Sequence, residues 1–148
     1  MIIRNLIDSD KNEVINMMRV FYQSDAVLSN GSEDIFESNV NACVNDNPYL
    51  EGFVFEHEEG KIIGYAMIAK SFSTEFGKRC IWIEDIYIKP EFRSVGLGTI
   101  FFERLFSTYH DVVFRLEAEA DNSQAIGLYK KSGFDIIPYL ELIKNKYD

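Results

Sequence analysis

Residues 84–99 read EDIYIKPEFRSVGLGT, and the reading of this stretch decides the fold. Its first part is rich in β-branched and aromatic residues and stops at Pro90, which predicts a strand over Cys80–Lys89. A short turn follows, and Arg93-Ser-Val-Gly96-Leu-Gly98 opens a helix predicted over Gly96–Tyr109, with Leu97, Ile100, Phe101 and Leu105 along one side. A strand, a turn and a glycine-rich helix start form a place for an anion. Amides at a helix start lack intrahelical acceptors, the helix dipole favours negative charge, and glycines let a phosphate approach the backbone. Arg93 adds a charged donor. A bare G-x-G is common, and an ordinary tight turn reads the same way. The Rossmann alternative needs a third glycine at position 101, which is Phe101, and the P-loop alternative needs Gly-Lys-Ser/Thr, which is absent.

Around this stretch the pattern is that of one domain over residues 1–148, without repeat, low-complexity tract or linker. Met1–Ile7 reads as a short strand. Asp8 or Asp10 caps a helix, Asp10 and Glu13 have capping-box spacing, and Val14, Met17, Met18 and Phe21 repeat at helical spacing. A second helix is predicted from about Ser32 to Asp46, stopped near Pro48. Leu50–His57 and Lys61–Ser71 are strands joined by the turn Glu58-Glu59-Gly60. Beyond the glycine-rich helix, Val112–Ala118 is a strand, Asn122 caps a helix that Gly133 ends, and Phe134–Lys146 reads as one or two final strands. The order predicts an α/β (α+β) sandwich on a mixed, mostly antiparallel sheet flanked by about four helices.

Composition removes several classes. Fifteen basic against 24 acidic residues give a net charge of −9, which argues against nucleic acid as a partner and fits a cationic one. The apolar runs are short and broken by charge, so no membrane span is expected, and the opening residues lack a secretory pattern. The two cysteines, Cys43 and Cys80, form neither a disulfide framework nor a zinc pattern; no metal is expected, and the cytoplasm is the expected compartment.

A second segment, Asn122–Phe134, reads NSQAIGLYKKSGF. Asn122, Ala125 and Tyr129 fall on one helix face, a small residue between two polar ones, which suits a ligand lying along it; a core role for Tyr129 is equally compatible with the spacing. Taken in order, R-x-x-G-x-G and N-x-x-A-x-x-L-Y-x-x-x-G-F resemble the GNAT N-acetyltransferase superfamily, over nearly the whole chain. The resemblance implies acetyl-CoA as cosubstrate and a splayed cleft between the strands at Cys80–Lys89 and Val112–Ala118. It implies that pantetheine pairs with the backbone of Ile86, Tyr87 and Ile88. The diphosphate then rests on amides of Arg93, Ser94, Val95, Gly96, Leu97, Gly98 and Thr99, with Asn122, Ala125 and Tyr129 lining the far wall.

Acetyl transfer to an amine needs a proton acceptor, because alkyl ammonium groups titrate near the lysine value of about 10.4. Glu84 and Asp85 are the candidates, and strand alternation sends them to opposite faces. The Glu-Asp pair is similar to that of spermidine/spermine and thialysine acetyltransferases, which implies Glu84 as the base, acting directly or through water. Tyr129 is implied as the general acid for the CoA sulfur. The resemblance places the acceptor near the connection between the first two helices, where Tyr22 and Asp25, with Glu84, are the expected substrate contacts. Together with Phe76-Gly-Lys78 this favours a small amine of polyamine type; a protein or peptide amine, or a non-catalytic acyl-CoA-binding regulatory module, are the alternatives. A homodimer through the last strands, around Tyr139–Ile143, also follows from the resemblance.

Overall fold

Alternation along the central strands sends side chains to two faces, and each face is covered by helices. The computed structural model describes residues 1–145: β1 (Ile2–Asn5), α1 (Lys11–Phe21), α2 (Glu33–Val44), β2 (Leu50–Glu56), β3 (Ile62–Ser73), β4 (Lys78–Ile88), α3 (Leu97–Thr108), β5 (Val113–Leu116) and α4 (Ser123–Lys131). The strands lie side by side in sequence order, antiparallel from β1 to β4, with β5 parallel to β4. In β2, Phe53 and Phe55 turn toward α3 and meet Phe101, while Val54 between them turns toward α1 and α2. Burying each such side chain fully contributes about 1.5–3 kcal/mol, so the two apolar faces hold the layers together.

The helix over 97–108 differs from expectation in one detail. Phe102 is 1% exposed and Ile100 is 43% exposed, because Phe102 fits among Phe106, Tyr129 and Phe134 on the side of α4. At the first helix the expected Asp10–Glu13 capping box does not form. A 3-10 turn over Asp8–Asp10 precedes α1, the Asp10 carboxylate accepts from the Ile7 amide at 3.0 Å, and Glu13 instead pairs with Lys89. Ser32 does cap α2, its Oγ accepting from the Ile35 amide. The expected final strands are corrected as well. Among the described residues none follows β5, and Ile136, Leu140, Leu142 and Ile143 lie 76–90% exposed with Pro138 interrupting any ladder. Lys146 lies outside the described residues.

Arg4 on β1 grips Asp10 through two hydrogen bonds of 2.8 and 2.9 Å and also reaches Glu56 on β2. Burial pushes the Asp10 carboxyl up, but the guanidinium and the Ile7 amide outweigh it and bring it below the usual range. A carboxyl depressed in the folded state stabilises above the unfolded value, near 3.9, and that contribution disappears as pH falls through the native value. Asp10→Asn should therefore cost about 1–3 kcal/mol at pH 7 in urea unfolding, with the gap from the parent closing as the pH is lowered toward 3.

Candidate active site at the parting of β4 and β5

The sheet opens where β4 outruns its neighbour. The parallel ladder runs from Cys80 opposite Val113 to Ile83 opposite Leu116 and ends there, while β4 continues to Ile88. Beyond that point the β4 edge on the β5 side has no strand partner among the described residues, so pairing ends where the splay is expected. At the same point β4 bulges. Met67 of β3 faces Asp85 and Ile68 faces Ile83, leaving Glu84 as an extra residue. The bulge reverses the alternation: Ile81 and Ile83 face α3, yet Tyr87, of the same parity, faces α1 and α2. Simple alternation, which separated Glu84 from Asp85, therefore misses why they part. Asp85 takes the buried position opposite Met67, and Glu84 is displaced outward.

Glu84 reaches solvent, yet its carboxyl is pushed up, first by loss of water and then by the charges of Asp85 and Glu141. One step past the last paired residues, Glu117 follows β5 beside Glu84. Its carboxyl rises to about 7, chiefly through a hydrogen bond shared with Glu141, then through burial and the charges of Glu141 and Glu84. Nothing in the linear sequence marks Glu117 or Glu141, since only the parallel register and the path of the chain after α4 bring them to Glu84.

The turn after β4 supplies amides. Gly96 has φ +88°, a left-handed value that a side chain disfavours, and Ser94 shares it at +64°. The Ile100 amide is the first of α3 to find an acceptor, Gly96 O at 3.1 Å, so the amides of Leu97, Gly98 and Thr99 point out from the helix start. The Arg93 amide differs from the others: Pro90 O takes it at 3.2 Å. Its side chain folds back, Nε donating to Ile88 O at 2.6 Å with the guanidinium over the Tyr87 ring. Gly98 has a structural duty besides any ligand, since a Cβ there would lie 2.7 Å from Cδ2 of Leu128 on α4.

On the other wall, Asn122 caps α4, its Oδ1 accepting from the Ala125 amide at 3.3 Å. Gln124 reaches Ser94 Oγ at 3.5 Å and so ties α4 to the glycine turn, a contact not anticipated from the sequence. Tyr129 packs edge-on against Phe102 and Phe134, and burial pushes its phenol up. Its hydroxyl has no hydrogen-bond partner among the described residues, and burial keeps its proton on oxygen at neutral pH. Tyr22 is half-buried with its hydroxyl on Asp85, and Asp25 is solvent-exposed in the connection after α1. The described residues contain no group of histidines, cysteines or carboxylates that could hold a metal ion, and no helix long and apolar enough to cross a membrane.

The sheet parts over a glycine-entered helix start, with Glu84 on the parted strand and Tyr129 on α4. A model of the acetyltransferase (GNAT) family matches residues 13–134, and the chain belongs to that family. It is 32% identical over 98 residues to thialysine N-epsilon-acetyltransferase of Sus scrofa, covering 60% of this chain and 57% of that protein. Its matches thus span 57% and 44% of the lengths of the Sus scrofa and Bos taurus relatives. A possible acetyltransferase from Clostridium difficile 630 has the same fold, with a TM-score of 0.83 at 17% identity over 99% of this chain and 98% of that one. AAC(6')-Iy, solved with a bisubstrate analog of CoA and acetylneamine, superposes with a TM-score of 0.76 at 14% identity over 98% and 97%.

The carboxylate pair provides a direct test of this geometry. In Glu141→Gln the shared proton and the second charge are lost, so the Glu117 carboxyl should fall from about 7 toward the ordinary glutamate range, read by carboxyl NMR titration.

Proposed function

We propose that this chain is an acetyl-CoA-dependent N-acetyltransferase that passes an acetyl group directly to a primary amine, with a small polyamine-like amine favoured over a protein or peptide amine. The observation that carries this reading is the run of open amides at the start of α3, entered through left-handed Gly96 at the foot of the bulged, unpaired β4 edge. That site fits a diphosphate: outward N–H groups, a helix dipole of the right sign and no carboxylate among residues 93–99. The free edge of β4 suits an extended chain carrying amide groups, and the CoA analog bound by AAC(6')-Iy supports the same choice. Acetyl-CoA supplies the activated acetyl group and a thiolate that departs.

The protein's part is proton handling and positioning. Glu84, raised by its surroundings, accepts the proton that an alkyl ammonium must lose, directly or through water. Tyr129, kept protonated by burial, gives its hydroxyl proton to the departing sulfur. Glu84, Glu117 and Glu141 together make the parted edge acidic, which supports a cationic acceptor, as does the likeness to thialysine acetyltransferases. Free Cys43 and Cys80 suit a reducing cytoplasm.

Mass spectrometry of an amine panel with acetyl-CoA should reveal an acetylated product and released CoA, strongest with diamines. Tyr129→Phe should lower kcat roughly 10²-fold with little change in KM for acetyl-CoA. In the parent, kcat/KM should fall as pH drops through the raised Glu84 carboxyl, and Glu84→Gln should lose that acidic limb. Acetyl-CoA should raise Tm by mass action where ATP and NAD do not. Binding of acetyl-CoA without CoA release for any amine or peptide would defeat the reading and leave a regulatory acyl-CoA-binding module. The exposed apolar segment over 136–143 supports a homodimer, which sedimentation equilibrium should show as twice the chain mass.

A further inference from the structure

Asp85 has no role in that scheme, although it is a carboxylate only 5% exposed beside the proposed base. No cation is paired with it among the described residues. It is held by two phenols: the Tyr65 hydroxyl from β3 donates to Oδ2 at 2.8 Å, and the Tyr22 hydroxyl lies 3.2 and 3.3 Å from Oδ1 and Oδ2. Burial pushes the Asp85 carboxyl up and the two phenols pull it back. A carboxylate so placed is costly unless its hydrogen bonds are kept, so the partners are constrained as strongly as Asp85 itself.

Of the two partners, Tyr65 is fixed in the sheet and Tyr22 is not. Tyr22 ends α1 and begins the connection that runs to Gly31 and Ser32 ahead of α2. Its ring lies 5.3 Å from that of Phe21 and 5.2 Å from that of Phe36. The far end of the connection returns to the same place: Gly31 sits at φ +65°, and a Cβ on it would lie 3.3 Å from Tyr22 Cδ1 and 2.5 Å from Phe36 Cε1. Both ends of the connection therefore rest on Tyr22, and the Tyr22 hydroxyl rests on Asp85, the residue after Glu84.

We infer that Asp85 is a positioning residue whose bond to Tyr22 holds the connection over residues 23–31 in place against the Glu84 bulge, so that the wall receiving the acceptor and the group taking its proton move as one. The inference rests on the acetyltransferase reading for the acceptor and base, whereas the tie itself stands on the contacts alone. The groups facing Asp85 are Tyr65 from β3, Tyr22 from α1 and, at longer range, the Cys43 thiol from α2, pushed up to about 12 first by burial and then by Asp85 and Glu51. On its own strand the neighbouring charge is Glu84, which also senses Glu141 and itself raises Glu117.

Tyr22→Phe tests the tie, since it removes the hydroxyl and keeps the ring between Phe21 and Phe36. Amide hydrogen exchange over 23–31 should quicken by about tenfold while the sheet exchanges as before. With spermidine and thialysine as acceptors, KM for the amine should rise about tenfold and KM for acetyl-CoA should stay within about twofold. Asp85→Asn should do the same and also move the acidic limb of kcat/KM to lower pH, because a negative neighbour that raises Glu84 is gone. The double variant should be no worse than the more damaged single one. Unchanged exchange over 23–31 in Tyr22→Phe overturns the inference, as does an equal rise in both KM values. If Asp85→Asn does not fold, Tyr22→Phe decides alone. If the parent acetylates no amine, the functional reading fails, and the exchange experiment still reads the tie.

Discussion

The whole arrangement depends on one surplus residue in a strand. In β4 the ladder to β3 skips Glu84, and from that skip follow the outward placement of its carboxylate, the inward placement of Asp85 and the reversed faces of Tyr87 and Ile88. A bulge adds local twist and bends the strand that carries it. Here the bend coincides with the end of pairing to β5, so the sheet parts beside Glu84, the proposed base. Without the skip, Glu84 would lie opposite Met67 in the apolar layer under α1 and α2, where an unpaired carboxylate is costly.

The parted edge is useful only because the helices on either side are tied to it. On one side α3 begins directly below the end of β4, and α4 is pressed against its first turn through Leu128 over Gly98 and Gln124 on Ser94. Gly98 is thus constrained by helix packing as well as by any phosphate, and the two demands point to the same residue. On the other side α1 ends in Tyr22, whose hydroxyl meets Asp85 in the layer beneath the bulge. Aromatic contacts among Phe21, Tyr65 and Tyr87 fill the space between these groups and keep water from the carboxylate.

Charge at the site is arranged by depth. Asp85 is buried and paired with phenols; Glu84 stands at the surface of the gap; Glu117 and Glu141 share a hydrogen bond at its rim. Asp85 and Glu141 raise Glu84, and Glu141 and Glu84 raise Glu117, so Glu84 and Glu117 hold protons more firmly than isolated side chains do. A net charge of −9 on the chain extends the same negative field outward, which suits the proposed cationic acceptor.

Much of this was readable in the amino-acid order. Periodicity and turn residues placed the helices and β1 to β5 to within a few residues, including the glycine turn before α3 and the Asn122 cap of α4. Local pattern failed where non-local contacts rule: Phe102 is buried in place of Ile100, Asp10 serves Arg4 and Ile7 rather than the expected box with Glu13, and the chain after Gly133 forms no strand among the described residues. The sequence by itself determined the order of elements, the open helix start at Gly96 and the residue types able to move a proton, because these depend on neighbours in the chain. Only the tertiary structure decided which carboxylate is buried, which one meets Glu117 and what Tyr22 holds. Those outcomes depend on a one-residue slip between β3 and β4 and on a parallel pairing with β5, and both are set by contacts between residues far apart in sequence.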